Sequence, residues 1–153
     1  MKTRIRPLLV AAALLAALPV LLAASDAVKT VDITANDTLR FNVTRIEAAP
    51  GQTLRIVLHN GGTVPKEVMG HNWVLLAAGE NPDSYTAAAL TAKAENYEPA
   101  ALKSNVLAAI PLLGPGQTAE VTFTAPTIPG TYTYLCSFPA HCGAGMRGVL
   151  VVR

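Results

Sequence analysis

The chain has 153 residues, about the size of one domain, with 51% hydrophobic and only 14% charged residues. Its formal net charge is +2, but three of its twelve basic residues lie within the first six positions. Without those three, nine basic residues face ten acidic ones, and a net charge of −1 excludes the basic footprint that nucleic-acid binding requires.

Residues 1–24 have the pattern of a secretory signal peptide. Lys2, Arg4 and Arg6 precede an apolar run from Leu8 to Ala23, and small residues surround the predicted cleavage position after residue 24. The run has 16 residues, fewer than the roughly 20 that a membrane-spanning helix needs. This length favours cleavage over an uncleaved membrane anchor. Either outcome predicts that residues 25–153 form one exported domain, periplasmic or held at the membrane by the N-terminal segment.

The rest of the chain alternates between short strand-like runs and turns. Apolar and polar residues recur with a period close to two, as in half-buried strands. Strands are predicted over 28–33, 39–43, 54–58, 68–76, 106–110, 119–124, 131–136 and 148–152. Residues 81–84 have the pattern of a helix start, and the alanine-rich stretch over 85–93 that follows predicts the single short helix. Seven or eight strands with turns about every ten residues predict an all-β protein, a two-sheet β-sandwich.

A cluster of metal-binding residue types lies between the last two predicted strands. Cys136, His141 and Met146 follow one another with the spacing C-x4-H-x4-M. A thiolate, an imidazole and a thioether are the ligands that suit copper as it cycles between Cu(I) and Cu(II). The cluster lacks a second imidazole.

His71 is the candidate for the missing ligand. It lies in the predicted strand 68–76, and a sandwich can bring the end of one strand beside the exit loop of another. Gly70 before it has no Cβ, which would let its carbonyl approach a metal. Asn72 after it can hydrogen-bond to the ligand loop and support the site.

These segments resemble a known family. Residues 64–75, VPKEVMGHNWVL, and residues 136–141, CSFPAH, are similar to the azurin branch of the plastocyanin/azurin (cupredoxin) family of blue copper proteins. The four residues between His141 and Met146, and the ending Gly-Met-Arg-Gly, are closer to the auracyanin branch. The resemblance implies a Greek-key sandwich with one mononuclear type 1 copper ion.

The resemblance also implies a role for each site residue. His71, Cys136 and His141 would form a trigonal plane around copper, Met146 would be the long axial ligand, and the carbonyl of Gly70 a weak second axial contact. The backbone amides of residues 72 and 138 would hydrogen-bond the thiolate. Four protein ligands leave no open position for substrate, which favours an electron carrier over an enzyme.

Redox partners, such as a c-type cytochrome or a copper reductase, would dock on an apolar patch around an exposed imidazole edge of His141. The patch residues that the resemblance implies are Val64, Val68, Met69, Phe138 and Ala140. No nucleic-acid partner is expected, and membrane contact is expected only if the N-terminal segment stays uncleaved.

Cys142 has no counterpart in the resemblance. A buried spectator thiol is the favoured interpretation, because free cysteine packs as a small hydrophobic residue. An alternative copper ligand and a redox-sensitive thiol remain open. A bridge to Cys136 would close a very short loop, stabilise little and remove the thiolate. The function also has alternatives: a copper-trafficking or storage protein, or a metal-free binding module with that bridge.

Overall fold

The structure, a computed structural model, describes residues 27–153. The segment predicted as a signal peptide or anchor lies outside the described residues, so its cleavage stays a prediction. The described chain contains nine strands, and they form two sheets. No helix within residues 27–153 is both long and apolar enough to cross a membrane.

The two sheets pack as a sandwich, which confirms the predicted all-β class. The strands are β1 (Lys29–Asn36), β2 (Arg40–Phe41), β3 (Arg45–Ala48), β4 (Thr53–Asn60), β5 (His71–Leu76), β6 (Val106–Leu113), β7 (Thr118–Thr124), β8 (Gly130–Leu135) and β9 (Arg147–Val152). One sheet has the order β2-β1-β4-β7 and the other β3-β9-β8-β5-β6. The pairs β1–β4 and β3–β9 are parallel, and the other pairs are antiparallel.

Short helices connect some of the strands. They are α1 (Lys66–Met69), α2 (Pro82–Ala89) and two 3₁₀ helices at Lys93–Glu95 and Ala100–Asn105. The side chain of Asn81 caps α2 by accepting hydrogen bonds from the amides of Asp83 and Ser84 at 2.8 and 3.0 Å, and Pro82 suits the first helical position. This helix therefore begins within the start predicted at 81–84, and it ends at Ala89, four residues before residue 93.

The observed strands also differ from the predicted ones, for example at residues 68–70 and 45–48. The predicted strand 68–76 begins later, at His71, because residues 68 and 69 belong to α1. The strand β3 was not predicted, since four residues carry too short an alternating pattern. It forms because β9 provides a parallel partner along its whole length, from Arg45 opposite Val149 to Ala48 opposite Val152.

The interior between the sheets is built from the alternating apolar positions. Eight of its large side chains are at most 1% exposed: Ile33, Leu54, Ile56, Leu58, Trp73, Leu75, Tyr134 and Leu150. Each contributes roughly 1.5–3 kcal/mol through burial of apolar surface. This core holds β5 and β8 rigidly side by side.

A second, smaller cluster lies on the other face of β5. It contains Val74, Leu76, Tyr85, Leu135 and Cys142. The segment between β5 and β6, residues 77–105, forms an insertion. The insertion contributes Tyr85 to this second cluster. Because the insertion covers one face and the main core the other, every residue of β5 is buried.

Candidate metal centre

His71 is the first residue of β5, and the glycine before it explains how it is placed. A Cβ on Gly70 would lie 2.7 Å from the carbonyl oxygen of Lys66 and 2.8 Å from Cγ of Leu112. Only glycine therefore allows α1 to pack so closely against β6. The chain enters β5 directly after Gly70, and the imidazole of His71 points inward, where it is fully buried.

The other predicted ligands lie in the loop between β8 and β9. The amide of Cys136 donates to the carbonyl of Met146 at 3.0 Å, and the amide of Met146 donates to the carbonyl of His141 at 2.9 Å. These bonds extend the β8–β9 pairing into the loop and close it. The loop ends are thus held by the sheet and have little freedom to move.

The structure brings three of the predicted ligands together. One ligand atom from each of His71, Cys136 and His141 lies within 4.8 Å of the other two. The sulfur of Cys136 is 3.4 Å from Nδ1 of His141, and the centroids of the two imidazole rings are 5.0 Å apart. Such spacing suits a single ion bound between the three atoms.

Met146 is fully buried and has its backbone beside Cys136 through the hydrogen bond described above. Its sulfur as an axial ligand, and the carbonyl of Gly70 as a second axial contact, stay predictions.

The chemistry of His71 fits a metal ligand. Within the described residues, both of its ring nitrogens are buried and make no hydrogen bond. A buried polar group without a partner costs about 1–3 kcal/mol. Burial lowers the pKa of His71, and the nearby charge of Asp37 and carbonyl of Asn36 oppose this only in part. A bond to a metal ion would satisfy one of the two nitrogens.

The protonation states of the cluster also favour metal binding. Burial lowers the pKa of His141 to about 4, so both imidazoles are neutral near pH 7 and can donate a lone pair. Burial raises the pKa of the Cys136 thiol to about 12, although the backbone amides of Asn72 and Phe138 oppose the rise. A bound cation reverses this balance, because it stabilises the thiolate directly. The two amides are those predicted to hydrogen-bond the sulfur.

Asn72 links the two halves of the site, as predicted. Its side-chain amide donates to Oγ of Ser137 at 2.7 Å, and its side-chain oxygen accepts from the amide of Ser137 at 2.8 Å. Both residues are at most 1% exposed. Ser137 was not predicted from the sequence, although a small polar residue directly after the candidate thiolate was a usable signal.

Cys142 lies apart from this cluster. Neither cysteine forms a disulfide, so the structure lacks the bridge between Cys136 and Cys142 that was considered as an alternative. Cys142 is 2% exposed and packs in the second apolar cluster. Burial raises the pKa of its thiol, and the charge of Arg147 opposes the rise. The arrangement agrees with a buried spectator thiol.

The residues predicted to form the apolar patch differ in exposure, since Val68 and Ala140 are exposed and Phe138 is 7% exposed. Val68 is 62% exposed, whereas His141 is only 3% exposed. The expected exposed imidazole edge is therefore nearly closed, because the ring of Phe138 packs at a centroid distance of 4.7 Å against it. Leu90 was not predicted from the sequence either. It is 57% exposed and lines a cleft of about 220 Å³ together with Ala140.

A β-sandwich that buries one thiol between two neutral imidazoles is a metal-binding protein of the soft nitrogen-and-sulfur type. Residues 27–153 match the family model of copper binding proteins, plastocyanin/azurin family. The chain belongs to this family, and its cofactor is one copper ion.

The relatives are auracyanins and azurins. The chain is 43% identical over 117 residues to auracyanin-A of Chloroflexus aurantiacus, covering 75% of this chain and 68% of that protein. It is 32% identical over 126 residues to azurin of Pseudomonas denitrificans, covering 80% of this chain and 97% of that one. The dithionite-reduced auracyanin of Roseiflexus castenholzii superimposes with a TM-score of 0.73 at 34% identity, over 83% of this chain and 98% of that one. All three similarities extend over most of the described range.

Proposed function

We propose that this protein is a mononuclear type 1 copper electron carrier, and not an enzyme, which passes single electrons between redox partners outside the cytoplasmic membrane. The observation that carries the proposal is the buried cluster of His71, Cys136 and His141 within 4.8 Å. The copper ion supplies the one-electron chemistry. The chain's residues supply its donors, its geometry and its exclusion from water.

The proposed ligands are the three clustered side chains with Met146 as the axial thioether and the carbonyl of Gly70 as a weak opposite contact. The burial of Met146 supports this set, because a fully buried thioether beside the thiolate adds a soft donor without admitting water. A metal held by protein groups alone has no free coordination position. Such a centre exchanges electrons but does not bind and convert a substrate.

The rigidity of the cluster supports electron transfer. His71 belongs to a fully buried strand, and the loop of the other ligands is held by sheet hydrogen bonds and by the Asn72–Ser137 pair. Donors that keep their places in both copper oxidation states leave little rearrangement to accompany each electron. A relative was solved in a dithionite-reduced state, which agrees with a reducible centre.

The proposed partners are redox proteins such as a c-type cytochrome or a copper reductase, docking on the patch around His141. Its exposed members, Val68 and Ala140, give an apolar surface, and Leu90 extends this surface across the adjacent cleft. Electron-transfer encounters use small interfaces below about 1,200 Å² in total. A small apolar patch directly over a copper ligand suits such brief contacts.

The proposed location is the periplasm or another exported compartment. This part of the proposal rests on the N-terminal pattern of residues 1–24, with membrane attachment if that segment is retained.

The test is to add Cu(II) to the purified protein and record its visible spectrum and its voltammogram. An electron carrier of this type gives intense absorption in the red region, from thiolate-to-copper charge transfer, and one reversible one-electron wave. Cys136→Ser serves as the control and is expected to lose both. A colourless wild-type protein that takes up Cu(I) would refute the proposal and favour copper trafficking or storage.

A further inference from the structure

We infer that Tyr97, a residue of the insertion, is a positioning residue for the copper site because it holds Ser137 and Phe138, the two residues after Cys136. The inference rests on the proposed function, since it concerns the tuning of a type 1 copper centre. Tyr97 is distant in sequence from every proposed ligand. It nevertheless contacts residues that support two of these ligands, Cys136 and His141.

Tyr97 contacts the ligand loop in two ways. Its carbonyl accepts a hydrogen bond of 2.6 Å from Oγ of Ser137, across 40 positions of sequence. Its ring packs edge-on against the ring of Phe138, with centroids 4.9 Å apart and planes at 64°. Tyr97 is 7% exposed, so both contacts are shielded from water.

Phe138 connects the ring contact of Tyr97 to two ligands. Its backbone amide faces the sulfur of Cys136 and favours the thiolate. Its ring packs against the imidazole of His141 at a centroid distance of 4.7 Å. A shift of the Phe138 ring therefore changes the surroundings of both ligands.

Ser137 connects the hydrogen bond from the Tyr97 carbonyl to Asn72. The hydroxyl of Ser137 donates to Tyr97 and accepts from the Asn72 side chain, so one oxygen joins the insertion to both halves of the site. The backbone amide of Asn72 is the other group that favours the Cys136 thiolate. The carbonyl of Tyr97 thus fixes the direction of the hydroxyl that accepts from the side-chain amide of Asn72.

The backbone at Asn96 and Tyr97 is strained, and contacts with neighbouring residues must hold it in this conformation. Asn96 and Tyr97 have φ angles of 55° and 62°, and neither is glycine. Residues in such conformations cost of order 1–3 kcal/mol each and persist where their surroundings hold them. The amide of Tyr97 donates to the carbonyl of Ala92 at 2.9 Å, and its carbonyl is held by Ser137. The strained turn aims that carbonyl at the ligand loop.

The chain offers a matched control. Tyr132 is similarly buried, at 4% exposure, and its hydroxyl donates to the carbonyl of Ile128 at 2.7 Å, near the start of β8. Replacing either tyrosine with leucine removes a buried ring. Of these two tyrosines, only Tyr97 contacts Phe138 among the described aromatic pairs.

The experiment compares Tyr97→Leu, Tyr97→Phe and Tyr132→Leu in two states. In the copper-loaded protein, the reduction potential and the wavelength of the charge-transfer band are measured. In the metal-free protein, hydrogen exchange of the Ser137 and Phe138 amides is followed by NMR. Weaker hydrogen bonds to the sulfur increase its donation to Cu(II). Tyr97→Leu is therefore expected to lower the potential, to move the band to longer wavelength and to speed the exchange of both amides about tenfold, equivalent to about 1.4 kcal/mol.

The controls separate positioning from general stability. Tyr97→Phe keeps the ring and the backbone and is expected to match the wild type in all three measurements. Tyr132→Leu is expected to lower thermal stability without changing the potential. The inference is overturned if Tyr97→Leu leaves the potential and the exchange unchanged, or if Tyr132→Leu shifts the potential equally. A colourless wild-type protein overturns the proposed function instead, while the exchange rates of the metal-free variants still decide whether Tyr97 holds the loop.

Discussion

Cys142→Ser is expected to leave the copper-loaded protein blue, whereas Cys136→Ser is expected to abolish the colour. The two cysteines are six positions apart in sequence, yet only Cys136 has its sulfur beside His141, at 3.4 Å from Nδ1. Cys142 packs instead against the apolar cluster between β5 and the insertion. A serine hydroxyl does not replace the strong charge transfer of a thiolate, so colour reports which cysteine binds copper.

The stability change of Cys142→Ser follows from its surroundings. The side chain is 2% exposed, and burying a hydroxyl without a partner costs about 1–3 kcal/mol. Arg147 approaches the thiol closely enough to affect its pKa, and it offers the new hydroxyl a polar neighbour. We therefore expect a loss near the lower limit, about 1 kcal/mol. For a domain of this size, that loss lowers the melting temperature by roughly 4 °C.

The assay combines a Cu(II) titration followed in the visible range with thermal unfolding of the metal-free protein by circular dichroism. Cys142→Ala is the matched variant, because it removes the sulfur without burying a hydroxyl. Both Cys142 variants are expected to take up one copper ion and to show the wild-type band. Equal loss of colour in folded Cys142→Ser and Cys136→Ser would show that the ligand assignment is wrong.

Three further variants test separate parts of the structure. Met146→Leu is expected to keep the blue colour and raise the reduction potential, since losing a weak thioether donor disfavours Cu(II); an unchanged or lower potential counts against Met146 as the axial ligand. Burial raises the pKa of Glu98 above 4.5 in the folded protein. Ionising this carboxylate therefore costs more in the folded protein than in the unfolded chain, and the free energy of unfolding falls as the pH rises through the folded-state pKa. Urea unfolding of Glu98→Gln should show a gain in stability at pH 7 and none near pH 3, and equal stability at pH 7 contradicts the reasoning. A Cβ on Gly148 would lie 2.4 Å from the ring and the hydroxyl of Tyr134. We expect Gly148→Ala to cost about 3 kcal/mol by overpacking, and a loss below about 1 kcal/mol in denaturant unfolding would contradict this.

The donor set of the ligand loop could be predicted from the sequence because its members are neighbours in the chain. Cys136, His141 and Met146 lie within eleven consecutive positions, and their chemistry is a property of the side chains themselves. The sandwich class could also be predicted, since alternation of apolar residues is a local signal of half-buried strands. The strand β4, with its alternating burial along Thr53–Asn60, is an example.

The strand β3 and the helix α1 required the tertiary structure. Each has only four residues, too few for a periodic pattern, and β3 forms because β9 lies beside it. The exposure of His141 was predicted wrongly for a related reason. The sequence placed an apolar residue at position 138 but did not show that its ring packs against the imidazole and closes it from solvent.

The amino-acid sequence by itself determined which donors the site contains, because donor chemistry is carried by each residue. Only the tertiary structure decided how these donors are held, because that depends on contacts across long separations of the chain. Asn72 and Ser137 are 65 positions apart, and Tyr97 and Ser137 are 40 apart. No local pattern contains information about such pairs. They form when the insertion and the two sheets pack together, and that packing fixes the surroundings of Cys136.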